Sequence, residues 1–209
     1  MARLNRDDWA AAALEAMSTS GLAAVAVEPL AVRLGATKGS FYWHFRNRDE
    51  LIEAALERWQ EIGTEAVIGR LEGLSGPPGH RLRELFVQVF AVRSRPSADL
   101  ALLADADHPL VAPVLEAITR RRLEYVATLF RELGFSPTRA RQRAVFAYSA
   151  YLGHLQLLRS APGLLPRPGR AGAVYADEVL SALFDPAAAA EPDGRSGPVK
   201  GGADRSGRG

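Results

Sequence analysis

Through almost every segment before residue 185, apolar residues recur at the three- and four-residue spacing of an α-helix. No segment alternates as a strand would. The first stripe is Trp9, Ala13, Ala16 and Met17. Asn5 opens it as a cap with Asp8 three positions on, and Gly21 closes it. Short helices are predicted over 27–34, ending at Gly35, and from the cap Thr37 through Phe45. Asn47 or Arg48 then opens a long helix to about Leu74, with Asp49 and Glu50 in the first turn, where the dipole favours acid. Leu82, Leu85, Phe86, Val89 and Phe90 mark the next, which Arg95, Pro96 and Ser97 break. A short piece over 98–104 and a long helix from Val111 to Leu133 follow. Ser136 and Pro137 are a cap and a first-turn proline for a helix carrying Tyr148, Tyr151, Leu155 and Leu158. After a Pro/Gly loop, a last helix carries Tyr175, Val179, Leu180, Leu183 and Phe184. The expectation is an all-α protein of eight or nine helices.

Composition narrows the chemistry. With 26 Lys+Arg against 24 Asp+Glu, the net charge is +2, so the chain as a whole is neither polybasic nor polyacidic. Zero cysteines exclude disulfides, Cys-ligated zinc, iron–sulfur clusters and a thiol nucleophile, and fit the cytosol. Arg3 and Arg6 are followed at once by Asp7 and Asp8, unlike a signal peptide. No window reaches the ~18 apolar residues that a membrane span needs. The expectation is a soluble cytoplasmic protein with no membrane partner. Residues 185–209 are rich in Pro, Gly, Ala and Ser, their charges cancel, and they read as a disordered tail.

One constellation is sharp. Residues 27–48 read VEPLAVRLGATKGSFYWHFRNR, two short helices meeting at Gly35 and Ala36. Phe41 and Phe45, four apart, share one face as core anchors. Lys38, Gly39, Tyr42 and Trp43 then fall on an adjoining outward face, flanked by Ser40 and His44. So short a helix with two bulky aromatics left outside suits a helix offered to a partner. From Pro29 to Arg48 there is no acid, while Arg33, Lys38, Arg46 and Arg48 supply four cations. A cationic patch with donor-bearing aromatics suits a phosphate backbone. Charge alone is not diagnostic, because residues 133–176 are also acid-free and carry six arginines.

These residues resemble the TetR family of transcriptional regulators. The resemblance rests on Leu30-Ala31, Leu34-Gly35, Thr37, Gly39, Ser40, Tyr42, His44-Phe45, Arg48 and Glu50-Leu51, and covers about residues 5–57. The sequence departs from the family pattern in two places, the start of the first short helix and the cation after His44-Phe45. Ala26-Val27 stand where Thr or Ser is common, which puts one phosphate contact in doubt, and Arg48 stands where Lys is usual.

The resemblance implies an N-terminal three-helix helix-turn-helix DNA-binding domain over 1–48. It implies a helical effector-binding and dimerisation domain over 49–184, ahead of the tail at 185–209. It implies a ligand-responsive regulator, by family default a repressor, that binds a pseudo-palindromic double-stranded operator as a homodimer and is released by a small-molecule effector. Lys38, Gly39, Ser40 and Tyr42 would face base edges or the groove wall. Thr37, Tyr42, His44 and Arg48 would hold phosphates, and Trp43 would pack along the sugar-phosphate backbone. Arg3 and Arg6 either touch an adjacent groove or belong to a frayed terminus. Trp59, Phe86, Phe90, Tyr125, Tyr148 and Tyr151 are candidates to line the effector pocket, and each also reads as core. Arg122 lies on the apolar stripe of its helix. It either snorkels or awaits an anionic ligand or a buried acid. His108 and His154 are further polar candidates. The implied dimer interface lies on the last two helices, with Leu155, Leu158, Val179 and Leu183 as candidates against a reading as intramolecular core.

No cofactor, metal site or catalytic residue is expected. The Asp105, Asp107 and His108 group lacks metal specificity, and a helix cap explains it. A Gly-rich phosphate loop, a nucleophile elbow and zinc-type His spacing are all missing, which disfavours the rival reading of an enzyme on a helical bundle. The other rival is a helical interaction module that no longer binds DNA.

Overall fold

Helix α1 (Arg6–Ser20) begins where the sequence supplies its own caps. The Asn5 side chain accepts from the Asp8 N–H at 3.0 Å, and Asp8 accepts from the Asn5 N–H at 2.8 Å. This reciprocal pairing satisfies two donors that would otherwise face water. The computed structural model describes residues 4–91, 98–167 and 169–184 of the 209-residue chain. Arg3, the break expected at Arg95–Ser97 and the tail at 185–209 lie outside the described residues.

The helix-turn-helix follows α1 and a single 3-10 turn. Helix α2 (Val27–Leu34) ends at Gly35, whose φ of 62° is left-handed, a conformation that costs glycine little. Its start has no side-chain cap, because Ala26 holds the capping position. Helix α3 (Lys38–Tyr42) is capped by the Thr37 hydroxyl, 3.1 Å from the Ser40 N–H. Its regular part is shorter than the expected run to Phe45. The chain continues through a turn in which Phe45 N–H still donates to the Phe41 carbonyl at 3.0 Å. Helix α4 (Arg48–Gln60) is capped by Asn47, with Asp49 and Glu50 in its first turn.

The long helix expected to about Leu74 is interrupted. A π turn over Glu61–Glu65 separates α4 from α5 (Ala66–Glu72). Helices α6 (Pro78–Ala91), α7 (Ala98–Ala104), α8 (Ala112–Glu132), α9 (Pro137–Ser160) and α10 (Arg170–Leu183) complete the described fold. Among the described residues there is no strand, and no helix is long and apolar enough to cross a membrane.

Two apolar clusters hold these rods together. The first joins α1, α2, α3 and α4 to α7 and the start of α8, through Trp9, Met17, Phe41, Phe45, Leu51, Ile52, Leu102 and Ile118. Trp9 meets Phe41 edge-on at 5.4 Å, and Phe41 stacks on Phe45 at 5.5 Å. The second joins α5, α6, α8, α9 and α10, through Leu71, Leu82, Phe86, Leu129, Phe130 and Leu183. Asp105, just beyond α7, accepts from the Leu22 N–H at 2.9 Å and so ties the helix-turn-helix to the following helices. It therefore does not cap α8, whose capping position is Val111 with no side-chain bond.

Phe41 is fully buried between Trp9 and Phe45. Phe41→Ala is expected to lower stability by about 3–5 kcal/mol, while the exposed Tyr42→Ala costs about 1 kcal/mol or less. Urea unfolding followed by circular dichroism measures both.

Candidate nucleic-acid interface and buried cavity

The outward face of the helix-turn-helix is built around the anchors Phe41 and Phe45. With those rings turned into the core, their neighbours have nowhere to go but outward. Trp43 is 84% exposed and Tyr42 is 56% exposed, with Tyr42 held edge-on against Phe41 at 5.1 Å. Thr37, Lys38 and Gly39 are exposed beside them, and Ser40, His44 and Arg48 are half-buried. The surface is therefore one short aromatic ridge with a lysine at its N-terminal end.

The structure changes the electrostatic reading of this segment. Its four cations do not form an unpaired patch. Arg33 pairs with Glu15, Lys38 with Glu28 at 2.8 Å and Arg46 with Glu50 at 3.2 Å. The acids stand just outside the acid-free window or one helix away, so a count along the sequence misses them. The hydrogen bond and charge of Lys38 hold the Glu28 carboxyl below its ordinary range, and the same bond raises Lys38. Arg48 donates to the carbonyls of Val25 at 2.6 Å and Leu22 at 2.8 Å. It thus clamps the start of α4 to the entrance of α2. His44 Nε2 lies 3.1 Å from the Leu4 carbonyl.

A cavity of about 360 Å³ opens among α5, α6, α8, α9 and the π turn. Phe86, Phe90, Arg122, Tyr125, Tyr148 and Tyr151 all line it, together with Leu155 and Leu158. Of the expected pocket aromatics, only Trp59 does not reach the wall. Its ring stands behind Arg122, 5.5 Å from the guanidinium carbon. His108 is elsewhere, with its Nδ1 accepting from the Leu110 N–H at 3.2 Å.

Arg122 meets a protein acid. Its Nη1 pairs with Asp99 of α7, its Nε donates to Thr64 Oγ1 at 2.9 Å, and its Nη2 donates to the Gly63 carbonyl at 3.2 Å. The Tyr151 hydroxyl donates to the other Asp99 oxygen at 3.2 Å. Burial is the largest influence on Arg122 and would lower it, but the charge and hydrogen bond of Asp99, together with Tyr151 and Tyr148, offset it and the group stays above its ordinary value. Burial, then Asp99, pushes the Tyr151 hydroxyl well up. Thr64 and Gly63 belong to the π turn, so this one guanidinium joins the end of α4 to α7, α8 and α9. Asp99 and Thr64 are partners of Arg122 in the cavity wall that the sequence did not single out. Neither stands in a motif, and both lie far from Arg122 along the chain.

Among the described residues, two buried polar groups beside the cavity find no hydrogen-bond partner. The Tyr125 hydroxyl is one, and burial raises it. His154 is the other, with both ring nitrogens unpartnered. It lies between Phe90 at 4.7 Å and Tyr175 at 5.7 Å, and burial lowers its pKa.

The expected dimer residues face largely inward. Leu155 is buried beside the cavity, Leu183 is buried in the second cluster, and Leu158 and Val179 are half-buried. On the outer faces of α9 and α10, Phe146 (53% exposed), Leu157 (41%) and Val174 (54%) are uncovered instead. Among the described residues no group of three or more His, Cys, Asp or Glu is placed to hold a metal ion.

Residues 10–55 match the family described as bacterial regulatory proteins, tetR family. Over 54 residues, the chain is 39% identical to the tetracycline repressor protein class D of Escherichia coli. It is equally so to the class H protein of Photobacterium damsela subsp. piscicida. Each match covers 26% of this chain and only 25% of the relative, so the chain matches about a quarter of the length of these curated relatives. The fold extends further. A transcriptional regulator from Rhodococcus sp. Rha1 superposes with a TM-score of 0.69 at 20% identity, covering 88% of this chain and 97% of that one. A transcriptional regulator from Saccharomonospora viridis, solved in complex with choline, gives 0.67 at 15% identity over 86% and 95%. The multidrug binding protein EbrR, solved with malachite green, gives 0.59 at 25% identity over 86% and 97%.

Arg122→Met leaves the Asp99 carboxylate buried without its guanidinium. A loss of about 3–5 kcal/mol is expected, and Arg122→Met with Asp99→Asn recovers part of it. Denaturant midpoints of the single and double variants test this.

His154 gives a pH dependence of definite sign. Its folded pKa lies below the unfolded value of about 6.5, so below that pH the unfolded chain takes up the proton first. This contribution to stability is present above pH ~6.5 and is lost as pH falls. His154→Phe is expected to flatten the decline, as read from melting temperature between about pH 7.5 and 5.

Proposed function

We propose that this chain, whose residues 10–55 match the tetR family of bacterial regulatory proteins, is a ligand-responsive repressor of that family rather than an enzyme. It binds a pseudo-palindromic operator as a homodimer and leaves it when a small molecule occupies the cavity. The observation that carries this reading is the exposed ridge of Lys38, Tyr42 and Trp43 on a helix pinned from behind by Phe41. A face of that shape and chemistry suits the major groove, entered by the N-terminal residues of the second helix.

Within this reading, residues 1–48 are the DNA-binding head, 49–184 the effector-binding and dimerisation body, and 185–209 a tail. Lys38, Gly39, Ser40 and Tyr42 face the bases. Thr37, Tyr42 and His44 hold phosphates, and Trp43 packs on the backbone. Arg48 works at the phosphate edge from its clamp on Val25 and Leu22. The exposed ion pairs of Arg33 and Arg46 are weak in water and exchange readily for phosphate contacts.

Cavity and head are joined by α4. Its first residue, Arg48, grips the helix-turn-helix, and the π turn that follows its last residue is held by Arg122 at the cavity wall. A ligand that displaces Gly63 or Thr64 therefore moves α4 and changes the spacing of the two heads. That fold neighbours were solved with choline and with malachite green supports a small organic effector. The dimer forms across α9 and α10, where Phe146, Leu157 and Val174 present apolar surface, with Leu155, Leu158, Val179 and Leu183 supporting it from beneath.

A mobility-shift titration with the DNA beside its own gene is expected to give one specific complex holding two chains. Lys38→Ala with Tyr42→Ala should weaken it by at least about a hundredfold, with helicity unchanged by circular dichroism. Equal affinity and salt dependence of the double variant would sink the proposed site.

A further inference from the structure

We infer that Glu28 is a base-reading residue which, as an ion pair with Lys38, selects a G·C pair in each half-site. The inference rests on the DNA-binding reading above and names a residue that the helix-turn-helix resemblance does not supply.

Glu28 lies in the first turn of α2, where a carboxylate commonly satisfies the helix's own N–H groups. It does not do so here. The start of α2 has no side-chain cap, and the Glu28 carboxylate instead reaches across to Lys38 Nζ on α3 at 2.8 Å. Both side chains stay open, at 72% and 56% exposure. Val32, one turn further along the same face of α2, is 81% exposed, so no other part of the described chain covers this face.

An acid on a surface that meets phosphates is repelled by them, unlike Arg33 or Arg46, which can exchange partners. It is tolerated where it stays paired with its cation or accepts a hydrogen bond from the nucleic acid. In the major groove the acceptable donors are base amino groups, and glutamate accepts from cytosine N4. Lysine donates to guanine O6 or N7. In one G·C pair these groups lie side by side, an acceptor next to a donor. The Lys38–Glu28 pair presents the complementary donor next to acceptor. Glu28 also restrains a flexible lysine that would otherwise act as an undirected point charge.

The test is in vitro selection from a randomised duplex pool, using the full chain, Glu28→Gln and Glu28→Ala. The wild type is expected to enrich half-sites with one fixed G·C position. Glu28→Gln shifts cytosine to adenine there, and Glu28→Ala accepts all four pairs. The other positions stay unchanged. In mobility shifts, the discrimination at that position falls roughly tenfold or more. If both variants enrich the same base with the same preference as the wild type, the role of Glu28 is overturned while DNA binding stands. If the wild type enriches no sequence, the DNA-binding reading fails and this inference with it.

Discussion

A largely buried guanidinium needs partners wherever it is taken out of water, and the arrangement around Arg122 follows from that requirement. Desolvation opposes its charge, so the chain surrounds it with the Asp99 carboxylate, the Thr64 hydroxyl, the Gly63 carbonyl and the Trp59 ring. These partners come from α4, the π turn and α7, while Tyr151 of α9 completes the Asp99 side. The wider helical turn at Glu61–Glu65 belongs to the same arrangement. It puts the Gly63 carbonyl and the Thr64 hydroxyl within reach of Arg122 on one side of the rod. Such single-turn π segments often sit at functional sites, and here one forms a cavity wall.

The helix-turn-helix obeys a different rule. Its interior is apolar and closely fitted, with Trp9, Phe41 and Phe45 in mutual ring contact. Its surface charges are paired but open to water. Exposed pairs of this kind add little to stability and are screened by salt, so they exchange when a stronger anion arrives. The core fixes where the aromatic ridge stands, and the pairs keep its cations extended without locking them.

The sequence made the local structure legible because the signals are local. Asn5, Thr37, Asn47 and Ser136 each cap the helix expected of them, and Gly35 ends α2. Phe41 and Phe45 declared the buried face of α3 by spacing alone. What escaped was decided at long range. Arg122 stood out as a cation on an apolar stripe, yet its partner Asp99 is 23 positions away and in no motif. The acid-free window hid three ion pairs because Glu15, Glu28 and Glu50 lie beyond its ends. The inner and outer faces of α9 could not be separated by periodicity. Both carry apolar residues, and only the placement of α6, α8 and α10 turns Leu155 in and Phe146 out.

The two regimes meet in α4. At its start, Arg48 binds main-chain carbonyls of the 3-10 turn and the residue after it, contacts that hold position without reading anything. At its far end, Gly63 and Thr64 are held by a group whose own balance depends on Asp99 and Tyr151 in the cavity wall. A rod fixed by hydrogen bonds at both ends moves as a unit, because bending it would break bonds that its buried end cannot replace with water. Under the proposed function, a molecule entering the cavity acts on the aromatic ridge without touching it, provided that its contacts favour one position of Gly63 and Thr64 over another. The required coupling is modest, of order 1–3 kcal/mol, comparable to one or two good hydrogen bonds at the Arg122 cluster.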